Sequence, residues 1–194
     1  MPVPFLGNEL LRGDRVRLAH LIDDDYAILA RWTDDMENQR LLRRAMVYPS
    51  DEGGMRDWLS KVDEYQFVPF GIRTLDDDRL VGMLAIKDIF WQSRHCSFFI
   101  NIGDAADQGQ GYGSDAVKVM LKYCFWEMNM NRVGLEVMAY NEGALRTYEK
   151  IGFKPEGALR QYVYRDGVYY DVHLMSLLRP EWDALYAESS KRKD

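Results

Sequence analysis

Three glycines fall within five positions in Gln108-Gly109-Gln110-Gly111-Tyr112-Gly113-Ser114, between a run with strand periodicity and a run with helical periodicity. Glycine admits positive φ and lets another group approach the backbone closely, and a helix starting at such a loop adds about half a positive charge from its dipole. A loop so built aims bare N–H groups at an anion, and a diphosphate is the natural guest. An ordinary tight turn is the alternative, and the flanking sequence separates the two. Ile100 and Ile102 alternate with Phe99 and Asn101 before the loop, whereas Ala116, Val117, Met120, Leu121, Cys124, Phe125 and Met128 recur at helical spacing after it.

The pattern then repeats. Arg132 to Tyr140 reads as a strand with Val133, Leu135, Val137 and Ala139 on one face, and Asn141 is a good N-cap for a helix running to about Ile151 and ended by Gly152. Asn141, Ala144, Leu145, Tyr148 and Ile151 share one stripe of that helix. Elsewhere the chain predicts a strand over 14–20, helices over 24–33 and 51–63, and strands over 66–74, 80–91 and 95–102 joined by turns at 76–78 and 92–94. Leu159 to Tyr164 and Val168 to Leu177 flank Arg165-Asp166-Gly167 as a final hairpin. The expected class is α/β (α+β), one domain over 1–194 with its core in about 14–182 and a mixed central sheet flanked by helices. An antiparallel meander leads into a parallel pair through the helical crossover.

Composition fits one domain, since 194 residues at 47% hydrophobic content bury a single sizeable core and no linker, repeat or low-complexity run divides them. No apolar run reaches transmembrane length, and the opening Met1-Pro-Val-Pro-Phe-Leu lacks a secretory pattern, so a cytoplasmic protein with no membrane partner is expected. Cys96 and Cys124 lie on apolar stripes and read as buried thiols; His20, His95 and His173 are scattered, so no metal is expected. A net charge of −6 argues against nucleic acid and suits a cationic substrate. The runs Asp23-Asp24-Asp25, Asp34-Asp35 and Asp76-Asp77-Asp78 read as helix starts and turns, or alternatively as a funnel for amines, and Lys191-Arg192-Lys193 as a solvated tail.

Gln108-x-x-Gly111-x-Gly113 resembles the pyrophosphate signature of the GNAT superfamily of acyl-CoA-dependent N-acyltransferases, and Asn141-x-x-Ala144-x-x-x-Tyr148-x-Lys150-x-Gly152-Phe153 resembles its second signature. Gly157-x-Leu159-Arg160, Tyr164-Arg165-Asp166-Gly167, Tyr170-Asp171-Val172 and Met175 are similar to the bacterial branch of ribosomal-protein alanine and spermidine acetyltransferases. The resemblance implies a splay between the strand ending near Ile102 and that over 133–140, where the pantetheine arm of acetyl-CoA inserts. It implies that the backbone of Ile100, Asn101 and Ile102 pairs with the pantetheine and polarises the thioester carbonyl. Gln108, Gly109, Gln110, Gly111, Tyr112, Gly113 and Ser114 are then to wrap the pyrophosphate, Asn141 and Ala144 to line the pantetheine arm, and Tyr148 to act as general acid. The acceptor is then an amine of a small molecule or a protein N-terminus, met by the region from Trp32 to Trp58 and the final hairpin, and a homodimer is common in the family.

One position departs from the resembled pattern. Ser97 stands where many members of that branch carry a glutamate base, and a serine needs its own activator. Proton removal then passes through water to Asp88, Glu136 or Asp171, or the amine arrives neutral, which suits an α-amino group of pKa near ~8 better than an alkyl amine near ~10. Two other classes stay open: a catalytically silent CoA-binding module, and a dinucleotide-binding oxidoreductase, for which Ser114 stands where a third glycine belongs.

Overall fold

Unbroken burial over the first seven residues of β3 (Leu80–Phe90), beside the part-buried β4 (His95–Ile102), marks a central strand with a layer on each side. The computed structural model describes residues 7–61 and 66–191. With β1 (Val16–Ala19), β2 (Phe67–Thr74), β5 (Arg132–Met138), β6 (Lys154–Arg165) and β7 (Val168–Leu178), these strands form a seven-stranded sheet in the order β1-β2-β3-β4-β5-β7-β6. The first four pair antiparallel, β4 and β5 pair parallel, and β5 pairs antiparallel with β7, the inner arm of the β6–β7 hairpin.

Helices cover both faces. α4 (Tyr112–Lys122), α5 (Glu142–Ile151) and α6 (Arg179–Lys191) lie on the face where Phe98, Leu135, Met120, Phe125 and Trp182 form the main core. α1 (Asp25–Trp32) and α3 (Glu52–Ser60) pack on the other face through Leu29, Trp32, Met55 and Leu59 against Met83. The expected mixed sheet, its meander and its parallel pair are all present. Cys96 and Cys124 are buried free thiols with sulfurs 3.9 Å apart. Asp35 caps α2 (Met36–Leu42), Asp51 caps α3, and Asp76 to Asp78 form the β2–β3 turn, so the acidic runs serve as helix starts and turns.

Several elements differ from expectation. α2 (Met36–Leu42) escapes a pattern reading because its buried residues, Asn38 and Gln39, are polar. The helix after the glycine loop leaves α-geometry for a π-helical turn, Tyr123–Glu127, and α6 follows β7 directly. β6 begins at Lys154 rather than 159, and Ala139 falls just beyond β5. The expected end of the third helix at 63, the opening Met1 to Leu6 and the tail beyond Lys191 lie outside the described residues.

The parallel ladder is short. His95, Cys96 and Ser97 pair with Arg132, Val133 and Gly134, and there the pairing stops. β4 continues to Ile102 held only by β3, while β5 continues to Met138 held only by β7. The two strands therefore diverge as the expected V. α2 bridges its mouth: the buried Asn38 side chain donates to Asn101 Oδ1 at 3.0 Å on one arm, while beyond the other arm Tyr140 Oη donates to the Arg40 carbonyl at 2.6 Å.

The start of α4 is tied to β1 by one carboxylate. Asp115 accepts from the backbone N–H groups of Asp14, Arg15 and Val16 at 3.2, 2.7 and 3.0 Å. These donors have no strand partner at the beginning of β1, and the Val16 group is buried, so losing the acceptor leaves at least one orphan N–H. Asp115→Ala is expected to destabilise the protein by about 2–4 kcal/mol in urea unfolding, with Asp115→Asn closer to wild type because its amide oxygen still accepts. Unchanged stability in the alanine variant contradicts this anchoring role.

Candidate functional site

The glycine loop is held open by its neighbours before any ligand is considered. Gly111 is the left-handed N-cap of α4 at φ 86°, a conformation costly for any side chain with a Cβ. The first intrahelical bond runs from Asp115 N–H to the Gly111 carbonyl at 3.1 Å, so the N–H groups of Tyr112, Gly113 and Ser114 precede the helical ladder. Arg79 grips the buried Asp107 at 2.7 and 2.9 Å, and the Gln108 side chain donates to the Ile102 carbonyl at 3.3 Å, fixing the loop to the end of β4. The hydrogen bonds from Arg79 hold the Asp107 carboxyl below the usual range despite the opposing effect of burial. Arg15, exposed and unremarked in the sequence, lies with its guanidinium about 3.5 Å from where a Gly111 side chain would begin. Nothing in sequence spacing signals it, since β1 and the loop are brought together only by the fold.

A cavity of about 540 Å³ runs from this loop into the V. Ile100, Asn101, Ile102, Gln108, Gly109, Gly111, Gly113, Ser114, Asn141, Ala144 and Tyr148 line it, with Leu135 to Met138 as the opposite wall. Of the residues expected at a cofactor, Gln110 and Tyr112 do not line it: Gln110 is exposed and Tyr112 packs on the main core. The Asn141 side chain is already engaged at both ends. Its oxygen caps α5 through the Ala144 N–H at 3.1 Å, and its amide donates to the Leu41 carbonyl at 3.2 Å.

Tyr148 sits where the cavity passes under α5. Its ring packs edge-on against Phe98 and Phe153 at 5.9 and 5.8 Å, and its hydroxyl has no hydrogen-bond partner among the described residues. Burial pushes the phenol up to about 12, because the phenolate would lose its hydration there. The group therefore keeps its proton across the physiological range.

A second cavity of about 700 Å³ opens on the far face of the sheet. Trp32, Met55, Trp58 and Phe99 give it apolar walls, and Arg43, Arg44, Lys87 and Glu136 are its charged lining. The region from Trp32 to Trp58 supplies much of its lining, and the final hairpin contributes Tyr162. Gly103 permits this wall: a Cβ there would sit 1.8 Å from the Trp32 ring. Phe98, Phe99, Asn101, Glu136 and Met138 line both cavities, so the two meet through the gap that the short ladder leaves.

The expected proton acceptors separate clearly. Ser97 donates to Asp88, but lines neither cavity. Burial raises the Asp88 carboxyl, yet hydrogen bonds from Lys87 and Ser97 and the charges of Lys87 and Arg44 outweigh it and hold the group below the ordinary range. Asp171 accepts the Gln161 N–H at 2.8 Å within the β6–β7 irregularity and lines neither cavity. Glu136, paired with Arg44, lines both. Among the described residues no cluster of three or more His, Cys, Asp or Glu side chains is placed to hold a metal ion, and no helix is long and apolar enough to cross a membrane.

Comparison with known proteins agrees with this geometry. A family model described as an acetyltransferase (GNAT) domain matches residues 15–154. The chain is 35% identical over 123 residues to the probable N-acetyltransferase YjcK of Bacillus subtilis, covering 63% of this chain and 66% of that one. It is 28% identical to the putative ribosomal N-acetyltransferase YdaF of the same organism, covering 88% of each. A crystal structure of spermidine N-acetyltransferase from Vibrio cholerae in complex with CoA and spermine superposes with a TM-score of 0.78 at 23% identity, covering 86% of this chain and 97% of that one. The β4 strand before the glycine loop, antiparallel to β3, also departs from the all-parallel start that a dinucleotide-binding oxidoreductase requires. A chain whose glycine loop, splayed strands and joined cavities coincide with that match belongs to the GNAT acetyltransferase family and is an acetyl-CoA-dependent N-acetyltransferase.

Proposed function

We propose that the protein transfers an acetyl group directly from acetyl-CoA in the glycine-loop cavity to a primary amine in the Trp32–Trp58 cavity. The observation that carries this reading is the meeting of the two cavities between Phe98 and Glu136. The chain's own groups suit CoA: the N–H groups of Tyr112, Gly113 and Ser114 with the α4 dipole and Arg15 suit a diphosphate, and the unpaired arms of β4 and β5 suit the pantetheine amides. Asn141 and Ala144 border the arm, Asn141 through the amide hydrogen its cap and Leu41 bonds leave over. No cysteine lines either cavity, which favours direct transfer over an acyl-enzyme.

As the N–C bond forms and the C–S bond breaks, the backbone of Ile100 to Ile102 steadies the carbonyl, and Tyr148 donates a hydrogen bond to the departing sulfur. A phenol near 12 is a weaker acid than a free thiol of pKa near ~8.5, so Tyr148 keeps its proton and steadies the charge building on the departing sulfur by its hydrogen bond, and the released thiolate is protonated from water. Glu136, the carboxylate common to both cavities, receives the amine's proton through water. With Tyr148 loaded throughout, turnover rises with pH as the amine loses its proton and has no falling limb from the phenol until pH approaches 12.

Tyr148→Phe keeps the ring packing and removes the proton, so single-turnover rates are expected to fall about a hundredfold while CoA affinity and melting temperature stay near wild type. Full turnover in that variant, with chemistry limiting, makes Tyr148 a packing residue. Glu136→Gln is expected to move the ascending limb of the pH–rate profile upward, and Ser97→Ala to leave it in place; the reverse pattern moves proton removal to the Ser97–Asp88 pair. Gly111→Val is expected to weaken CoA by roughly 2 kcal/mol or more in calorimetry, with little effect on dephosphorylated pantetheine. Equal losses for both ligands remove the diphosphate from the loop.

A further inference from the structure

The charge of the acceptor cavity runs opposite to that of the chain. A net charge of −6 suggests a cationic substrate, yet the charged residues lining this cavity are Arg43, Arg44 and Lys87 against the single carboxylate Glu136. Glu136 is already paired with Arg44, and Lys87 reaches out of the cavity to the exposed Asp88. Arg43 is the exception. It is half-buried, and its guanidinium has no ion-pair or hydrogen-bond partner among the described residues. The nearby acidic runs do not offset it: Asp35 caps α2, Asp23 pairs with Arg56, and Asp78 pairs with Arg17.

Arg43 is also held in place. Its N–H donates to the Gln39 carbonyl at 2.9 Å at the end of α2. Arg165, from the tip of the final hairpin, donates to the carbonyls of Arg43 and Ala45 at 2.8 and 3.0 Å. Arg43, half-buried on a pinned backbone and lining a cavity with apolar walls, thus offers an unpaired guanidinium with which an anion entering the cavity can pair in a fixed geometry.

Resting on the acetyl-transfer reading above, we propose that the acceptor is a primary amine of amino-acid size whose carboxylate is held by Arg43 and whose apolar or aromatic side chain seats among Trp32, Met55 and Trp58. The carboxylate then sits on the α2 side of the cavity, and the amine, two bonds away, points to the gap where Asn101 and Glu136 border both cavities. A polyamine, cationic along its length, meets Arg43 and Lys87 with no free carboxylate among the lining residues to receive it.

The test measures free-thiol release from acetyl-CoA, and binding to the CoA-saturated protein by calorimetry, for phenylalanine, phenylalaninamide and spermidine. Phenylalanine is expected to exceed its amide by about tenfold or more in kcat/KM and in affinity, and spermidine to be the poorest. Arg43→Gln is expected to raise KM for phenylalanine to that of the amide while leaving the amide's KM and the CoA affinity unchanged, with Arg43→Lys recovering part of the difference. Preference for the amide or for spermidine, with thiol release intact, overturns this acceptor class and leaves acetyl transfer standing. Binding that does not discriminate between acid and amide overturns it even if no amine is turned over. Absence of thiol release with every amine, at undiminished CoA affinity, counts against the transfer reading itself.

Discussion

The active geometry depends on a ladder that ends early. Three residue pairs join β4 to β5, and after Ser97 and Gly134 each strand is held from one side only. A sheet that stayed zipped would bury the edges of Phe98–Ile102 and Leu135–Met138 against each other and leave no path between the two faces. The opened edges do two things at once. They supply unpaired peptide groups for an extended ligand, and they let a cavity on the α4–α5 face meet one on the α1–α3 face.

Opening a sheet costs ladder hydrogen bonds, so the surrounding structure has to hold the gap. α2 does so with polar contacts, Asn38 reaching Asn101 on one arm while Tyr140 and Asn141 reach the carbonyls of Arg40 and Leu41 from beyond the other. On the loop side, Asp115, the Arg79–Asp107 pair and the bond from Gln108 to the Ile102 carbonyl hold the loop and the start of α4 in place. Preorganised donors of this kind need no rearrangement when charge arrives. The same polar framework carries Arg43 and Glu136 to the acceptor side, which makes the electrostatics of the site independent of the net charge of the chain.

What the sequence makes legible is chemistry that acts locally. The glycine loop declares itself because Gly111 needs a positive φ at a helix start, and the α5 stripe because Asn141, Ala144 and Tyr148 fall at helical spacing. The meander, the parallel crossover and the final hairpin follow from periodicity and turn residues. α2 is hidden because it is short and buries polar groups, so no apolar stripe announces it, although its Asp35 cap is visible in retrospect. α6 is hidden by its position directly after a strand with no intervening turn. Residues that act across long sequence distances are also silent: Arg15 beside Gly111, Glu136 rather than Asp88 or Asp171 at the junction, and Arg43 in a cavity whose lining is drawn from segments as far apart as Leu29 and Tyr162. A formal charge sums the surface, whereas a ligand meets only the groups that line its site.

The most direct measurement is a crystal structure of the protein with a bisubstrate analogue in which the acceptor nitrogen is linked through an acetyl bridge to the sulfur of CoA. The account predicts the diphosphate on the N–H groups of Tyr112 to Ser114, the sulfur beside Tyr148, and the bridge passing between Phe98–Ile102 and Leu135–Met138 into the cavity lined by Arg43 and Trp58. An analogue that binds with its bridge on one face of an intact β4–β5 contact, or with its acceptor end outside that cavity, contradicts it.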